Sequence, residues 1–296
     1  MIRRRKMEIA TAPLERTGFH PVEKHFKELE PPIIMGVLNN TPDSFSDGGS
    51  YGSADEAVHR AMEMAAEGAD IIDVGGESTR PFADPVPLEE EMRRTVPVVE
   101  RLVGGIDIPI SIDTRHAEVA REALSRGASI VNDVNALRGE GMAELVAEYR
   151  ASACIMHMKG TPKDMQVAPS YDDVLSDIRS FLTERVETLE ENGLERERLM
   201  IDPGIGFGKR VADNLVILRD LESFLDIGCP ILVGASRKSF IGKVLDLDVD
   251  QRLEGSIAAA VLAYLNGASV IRVHDVKETK RALDLVKAVE MSDRLF

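Results

Sequence analysis

The chain has 296 residues, 44% of them hydrophobic and 29% charged, which is enough apolar content for a folded core and too much for a disordered chain. Its formal net charge of −15, from 51 acidic against 36 basic residues, excludes a broad basic surface of the kind that holds nucleic acid, so an anionic ligand must be met by a local cluster of positive groups. The apolar runs are far shorter than the roughly 18 to 20 residues of a membrane span, and Glu8, Glu15 and Arg16 interrupt the stretch that would follow the basic start of a secretion signal, so a cytoplasmic chain without a membrane partner is expected.

Residues 1–31 form a polar leader, and from 32 to 296 short apolar runs alternate with longer stretches of helical period. The first run, 33–38, leads into Asn39 and a loop through Phe45 and Asp47 to Gly49, after which helical period holds over 54–67. Runs at 70–74 and 109–112 lead into Asp73-Val74-Gly75-Gly76-Glu77-Ser78-Thr79-Arg80-Pro81 and Asp113-Thr114-Arg115, with helical stretches at 88–103 and 116–126. Runs at 129–132 and 153–157 end at Asn132-Asp133 and His157-Met158-Lys159, before helical stretches at 142–149 and 172–192. The last three runs, 199–201, 230–233 and 270–273, enter Asp202-Pro203-Gly204-Ile205-Gly206-Phe207-Gly208-Lys209, Gly234-Ala235-Ser236-Arg237-Lys238-Ser239 and Arg272-Val273-His274-Asp275. Helical period follows at 213–225, 251–266 and 277–289.

The short runs are rich in Val and Ile and mostly non-alternating, as strands buried on both faces should be. Glycines at 68, 127, 193 and 267 close several helical stretches. Strand and helix in alternation predict a parallel sheet with crossover helices. About eight such units fit a single-domain (β/α)8 TIM barrel over residues 32–296, a fold that needs about 250 residues. Cys154 and Cys229 stand in or beside apolar runs with no metal or redox spacing, and are expected to be buried small hydrophobes.

Singly, each polar residue after a strand has an ordinary structural explanation. Asp113 suits a helix N-cap, Asn132 a satisfied core amide, and Lys238 a long side chain lying along apolar neighbours. The glycines around Phe207 suit a turn that lacks the Lys-Ser/Thr ending of a phosphate loop, and His274 suits a structural imidazole. Their common position decides between the readings. All lie at or just beyond the carboxyl ends of the runs, the amino ends carry no comparable set, and barrel enzymes place their chemistry at the carboxyl ends.

Taken in order, the stretch Ile34-Met35-Gly36-Val37-Leu38-Asn39-Asn40-Thr41-Pro42-Asp43-Ser44-Phe45-Ser46-Asp47-Gly48-Gly49, then Asp73 to Pro81, Asp113-Thr114, Asn132-Asp133, Met156-His157-Met158, Asp202 to Lys209, Ser236 to Ser239 and Arg272 to Asp275 resemble the signature segments of the dihydropteroate synthase family. The resemblance runs from about residue 32 to the end. Asn40 departs from it, standing where the family usually carries a small aliphatic residue, which could alter how the first loop leaves its strand.

The resemblance implies an alkyl/aryl-type transferase that condenses para-aminobenzoate with hydroxymethyl-dihydropterin diphosphate on the route to folate, with carbon–oxygen cleavage first and capture of the pterin cation by the arylamine. By similarity, Asp113, Asn132, Asp202 and Lys238 hold the pterin edge, and Met156 packs on its face. Asn39, Thr79, Arg272 and His274 take the diphosphate with a magnesium ion, for which Asn39 is the implied protein ligand. Arg272 and His274, two apart on one strand, point the same way. Phe45, Arg80, Pro81, Phe207, Lys238 and Ser239 are implied for para-aminobenzoate, with Phe45, Asp47 and Arg80 on loops that close over it, and sulfonamides should compete there. The catalytic set is then Asp113, Asp202, Lys238, Arg272 and His274, and a homodimer through the last helices is implied. A pterin-binding methyltransferase would share the Asp/Asn/Asp contacts but has no use for the diphosphate pocket, and a non-catalytic pterin-binding paralogue would have no need to keep every catalytic residue.

Overall fold

A computed structural model describes residues 30–40, 52–78 and 85–292. The leader, the loop carrying Phe45 and Asp47, and the segment with Thr79, Arg80 and Pro81 lie outside the described residues. Eight parallel strands run in chain order around a closed barrel. They are β1 (Ile33–Asn39), β2 (Ile71–Gly75), β3 (Ile110–Asp113), β4 (Ile130–Asp133), β5 (Ser152–Met156), β6 (Leu199–Asp202), β7 (Ile231–Val233) and β8 (Ala268–Val273). Pairing of Ile33 with Val270 through Gly36 with Val273 closes β1 onto β8, so the sheet is a barrel and not an open, doubly wound one.

The helices are α1 (Gly52–Ala66), α2 (Leu88–Val103), α3 (Ala117–Ser125), α4 (Met142–Glu148), α5 (Val174–Glu191), α6 (Val211–Arg219), α7 (Ser239–Leu245), α8 (Leu253–Leu265) and α9 (Val276–Glu290). Two differences from the sequence reading stand out. The stretch 213–225 divides into α6 and a 3-10 turn over Leu221–Ile227, and the seven-residue α7 follows directly on the polar segment after β7, where no helical stretch was expected. Several strands also run one residue further than the apolar runs, to Asn39, Gly75, Asp113, Asp133 and Asp202. A polar side chain ends an apolar run but does not stop the main chain from pairing.

Side-chain parity explains what the barrel does with these residues. Successive side chains of a strand face opposite sides. Ile33, Met35, Ile71, Ile130, Cys154, Met200, Leu232 and Val270 form one buried cluster, the apolar filling of the barrel. The side chains between them, such as Ile34, Ile72, Val131, Ile155, Ile201 and Ile271, pack outward with the helices in a second, larger cluster. Two residues on from the filling, on the same face, stand Asp73, Asn132, Met156, Asp202 and Arg272, with Asp113 two beyond buried Ser111. The carboxyl end of the barrel is therefore a polar layer laid directly on an apolar floor. Both cysteines are buried, and no helix among the described residues is long and apolar enough to cross a membrane.

Candidate active site

One hydrogen-bonded network joins four strands across the mouth. Arg272 of β8 donates through Nε to Asp73 Oδ2 of β2 at 2.6 Å and through Nη2 to Asp113 Oδ2 of β3 at 2.7 Å. Asn132 of β4 donates to the same Asp73 oxygen at 2.9 Å. Asp73 is fully buried and its Oδ1 has no hydrogen-bond partner among the described residues, while Asp113 is 8% exposed. Burial raises the Asp113 carboxyl well above its ordinary range, with Arg272 opposing and Asp73 adding to the rise. Arg272 stays firmly cationic, its loss of hydration outweighed by the two carboxylates. Asp73 was quoted in its segment but given no role by the sequence reading. Its signal was parity, since it follows Ile71 on the barrel face as Asn132 follows Ile130.

Asp202 at the end of β6 accepts from the Gly204 N–H at 2.7 Å, and burial lifts its carboxyl to about 6 even against that bond and the Lys238 charge. The loop that follows is built from glycines at positive φ, and at Gly204 and Gly208 a Cβ would collide with main chain. A Cβ on Gly204 (φ 72°) would stand 2.0 Å from His157 O, and one on Gly206 (φ 83°) would stand 3.1 Å from Lys238 Cδ. The loop thereby lies against the end of β5 on one side and Lys238 on the other. Lys238 places Nζ 3.9 Å from the centre of the Phe207 ring. Phe207, Met156, Val134 and Met165 form a small apolar cluster of their own, a greasy wall beside the carboxylates.

His274 differs from the cation that a diphosphate pocket suggested. Burial first, then Arg272 and Arg237, pull it down to about 3, so it is neutral. Its N–H donates to Ser236 Oγ at 3.3 Å, and Nδ1 lies 3.1 Å from the same oxygen. The Ser236 hydroxyl has both its own hydrogen and a second lone pair to offer Nδ1, so it serves the neutral ring in either tautomer. Asn39, half-buried, ends β1 across Gly75 from Asp113. A Cβ at Gly75 would meet Asn39 Oδ1 and the Asp113 Cβ, each at 3.5 Å. Ser239 is exposed as the first residue of α7.

Asn40, the departing position, is 4% exposed. Its main chain continues the ladder to Gly75 O at 2.9 Å, and its amide donates to Arg94 O at 2.8 Å, in the turn of α2 that Pro97 follows. A polar side chain is satisfied there, and the loop that follows lies outside the described residues. A separate cluster of Glu77, Glu91 and His116 brings metal-capable atoms within 4.8 Å of one another. Glu77 is already gripped by Arg115 at 3.0 and 3.1 Å and by the Val86 N–H at 3.1 Å, which leaves it an ion-paired brace. Thr79, Arg80, Pro81 and Phe45 lie outside the described residues. The remaining candidates, Asn39, Asp113, Asn132, Met156, Asp202, Phe207, Lys238, Arg272 and His274, stand at strand ends or the loops directly after them, with Ser239 opening α7, at the carboxyl end of the barrel.

Comparison with known proteins agrees with this geometry. Residues 35–274 match the family model described as pterin binding enzyme. The dihydropteroate synthase of Escherichia coli K12 is 48% identical over 261 residues, covering 88% of this chain and 93% of the relative. The solved structure of the Xanthomonas albilineans dihydropteroate synthase with 4-aminobenzoic acid superposes with a TM-score of 0.84 at 47% identity, covering 88% of this chain and 93% of that one. A sulfonamide drug complex of the Yersinia pestis enzyme gives 0.84 at 45% identity, covering 88% and 94%.

Proposed function

The chain belongs to the dihydropteroate synthase family of pterin-binding enzymes, and from that premise we propose how its own residues divide the work of condensing para-aminobenzoate with hydroxymethyl-dihydropterin diphosphate. A pterin edge presents N–H donors beside acceptors. Asp113, Asp202 and Asn132 answer the donors and Lys238 the acceptor side, with Met156 and the apolar wall against the ring face. As the carbon–oxygen bond breaks, positive charge grows on the pterin within reach of Asp113 and Asp202, both held in a poorly hydrated layer where attraction is strong.

The leaving diphosphate is taken by Arg272, by the neutral imidazole of His274, and by Asn39 and Thr79. A magnesium ion fits the oxygen of Asn39, a neutral hard ligand at the mouth, and when bound it supplies Lewis-acid neutralisation of the diphosphate charge. Para-aminobenzoate is seated between Phe207, Lys238 and Ser239, with Phe45, Arg80 and Pro81 completing the seat. The structure of the Xanthomonas relative with 4-aminobenzoic acid and the sulfonamide complex of the Yersinia relative support that reading. Two copies associate through the last helices, a reading supported by the exposed Leu262 and Leu265 of α8 and Leu285 and Val289 of α9. The acidic, cysteine-poor chain is read as cytoplasmic.

The observation that carries the proposal is the Asp73–Arg272–Asp113 bridge with Asn132 attached, which gathers β2, β3, β4 and β8 at one polar mouth. A coupled assay for diphosphate release tests it. Release should require both the pterin diphosphate and para-aminobenzoate for steady turnover, and release indifferent to the arylamine would overturn the reading.

A further inference from the structure

Lys209 has no part in the division of work above, yet it is only 3% exposed and lies against the site. Its Nζ stands 3.0 Å from His157 Nδ1, 3.3 Å from His157 O and 3.0 Å from Phe207 O, one acceptor for each N–H of an ammonium. Burial pulls His157 down to about 3, with Lys209 next in effect, so the imidazole is neutral and Nδ1 can present a lone pair. Burial also lowers Lys209 to about 7, with Asp202 opposing. A buried ammonium is costly unless each of its donors is used, and here two of them reach across to His157 while the third turns back to Phe207 O within the loop, so that Lys209 links two separate pieces of chain.

Those pieces are the end of β5 at His157 and the glycine loop at Phe207. The loop approaches β5 closely, since a Cβ on Gly208 would stand 2.3 Å from Lys159 O and one on Gly204 2.0 Å from His157 O. Glycines permit that approach but offer no side chains to hold it. Other tethers grip the loop's neighbouring groups: Tyr171 Oη donates to Gly208 O at 2.9 Å, and Gln166 Nε2 to Gly206 O at 2.7 Å. Lys209 holds the main chain of Phe207 itself, the residue whose ring faces Lys238 Nζ at 3.9 Å.

We propose that Lys209 is a positioning residue for the arylamine side of the site, fixing Phe207 against the end of β5 so that its ring bears on both the aryl substrate and Lys238. The inference rests on the reading of Phe207 as an aryl contact, and a double-mutant cycle separates the two. Initial rates are measured at saturating pterin diphosphate for the full-length enzyme and for Phe207→Ala, Lys209→Met and the double variant. Phe207→Ala should raise the KM for para-aminobenzoate about tenfold, and Lys209→Met should do about the same with kcat changed by less than about threefold. In the double variant the effect should stay near that of Phe207→Ala alone, because a positioning residue has nothing left to position.

A normal KM in Phe207→Ala would remove the aryl reading and this inference with it. A raised KM in Phe207→Ala beside a normal one in Lys209→Met, or effects that multiply, would overturn the inference alone. If Lys209→Met does not fold, His157→Phe removes the Nδ1 acceptor while keeping a ring against Tyr171 and Phe181. It should raise the same KM, and an unchanged KM there overturns the role.

Discussion

Arg272→Met is the sharpest perturbation of this fold, because it strikes the one cation that two buried carboxylates share. Asp73 is 0% exposed and Asp113 8%, and Arg272 reaches them at 2.6 and 2.7 Å. Removing one member of a buried ionic group and leaving the others costs about 3–5 kcal/mol. The pH dependence gives the test its direction. Burial lifts the folded Asp113 to about 7 from an ordinary 3.8, with Arg272 opposing the rise. The folded chain therefore binds this proton more tightly than the unfolded one, so the group's contribution to stability falls as pH rises from about 4 towards 7. Without Arg272 the folded value climbs further and the falling window extends upward. Urea unfolding at about pH 6 and about pH 8.5 should then show a deficit of about 3–5 kcal/mol at the higher pH and a smaller one at the lower, at unchanged m-value. A loss under about 1 kcal/mol, or one equal at both pH values, would refute the assignment of Arg272 as the compensating charge.

Three further outcomes follow from the same geometry. Lys238→Ala should weaken pterin binding by at least about tenfold in titration calorimetry, since an ammonium facing ring acceptors leaves them unpaired when lost, and undiminished affinity would remove Lys238 from the pterin site. Pterin affinity should fall as pH drops through about 6, where Asp202 gains its proton, and a flat profile between pH 5 and 7 would mean that the Asp202 carboxylate is not a contact. Excess EDTA should stop turnover and added magnesium should restore it, whereas full activity in the chelator would sink the metal–diphosphate pocket.

The barrel was legible because its strands are short, doubly buried and rich in β-branched residues, and because eight of them alternate with amphipathic stretches. The one-sided crowd of polar groups was legible for the same reason: Asp113, Asn132, Asp202 and Arg272 stand where an apolar run should still be apolar. What escaped was everything that depends on pairing at long range. Asp73 sits in the middle of an apolar run, where parity puts it on the barrel face, but its role shows only in its bonds to Asn132 and to Arg272, 199 positions away. Lys209 reads as the tail of a glycine turn until the loop folds back on His157. The seven residues of α7 were hidden because they begin inside the segment read as the polar strand exit after β7.

The charge expectation was the part most changed by the structure. An acidic chain was expected to meet its anion with a cationic pocket at Arg272 and His274. Instead the Arg272 charge is balanced by two carboxylates, and His274 is neutral, donating only through a ring N–H. On the proposed reading, a diphosphate arriving at this mouth finds donors well aimed but little uncompensated positive charge beside them. Coulomb attraction from Arg272 reaches the anion only after Asp73 and Asp113 have taken their share, and Asp113 repels it while ionised. The same carboxylates are needed for the pterin cation, so the site cannot simply be made more basic without weakening the step that forms that cation. A divalent ion held by Asn39, as proposed above, would supply the missing charge to the leaving group without making the site itself more basic. That is why the chelation experiment and the Arg272 experiment bear on one another: if turnover survives chelation, the diphosphate charge is met by the chain's own cations, and Arg272 must then serve the anion while still bridging Asp73 and Asp113.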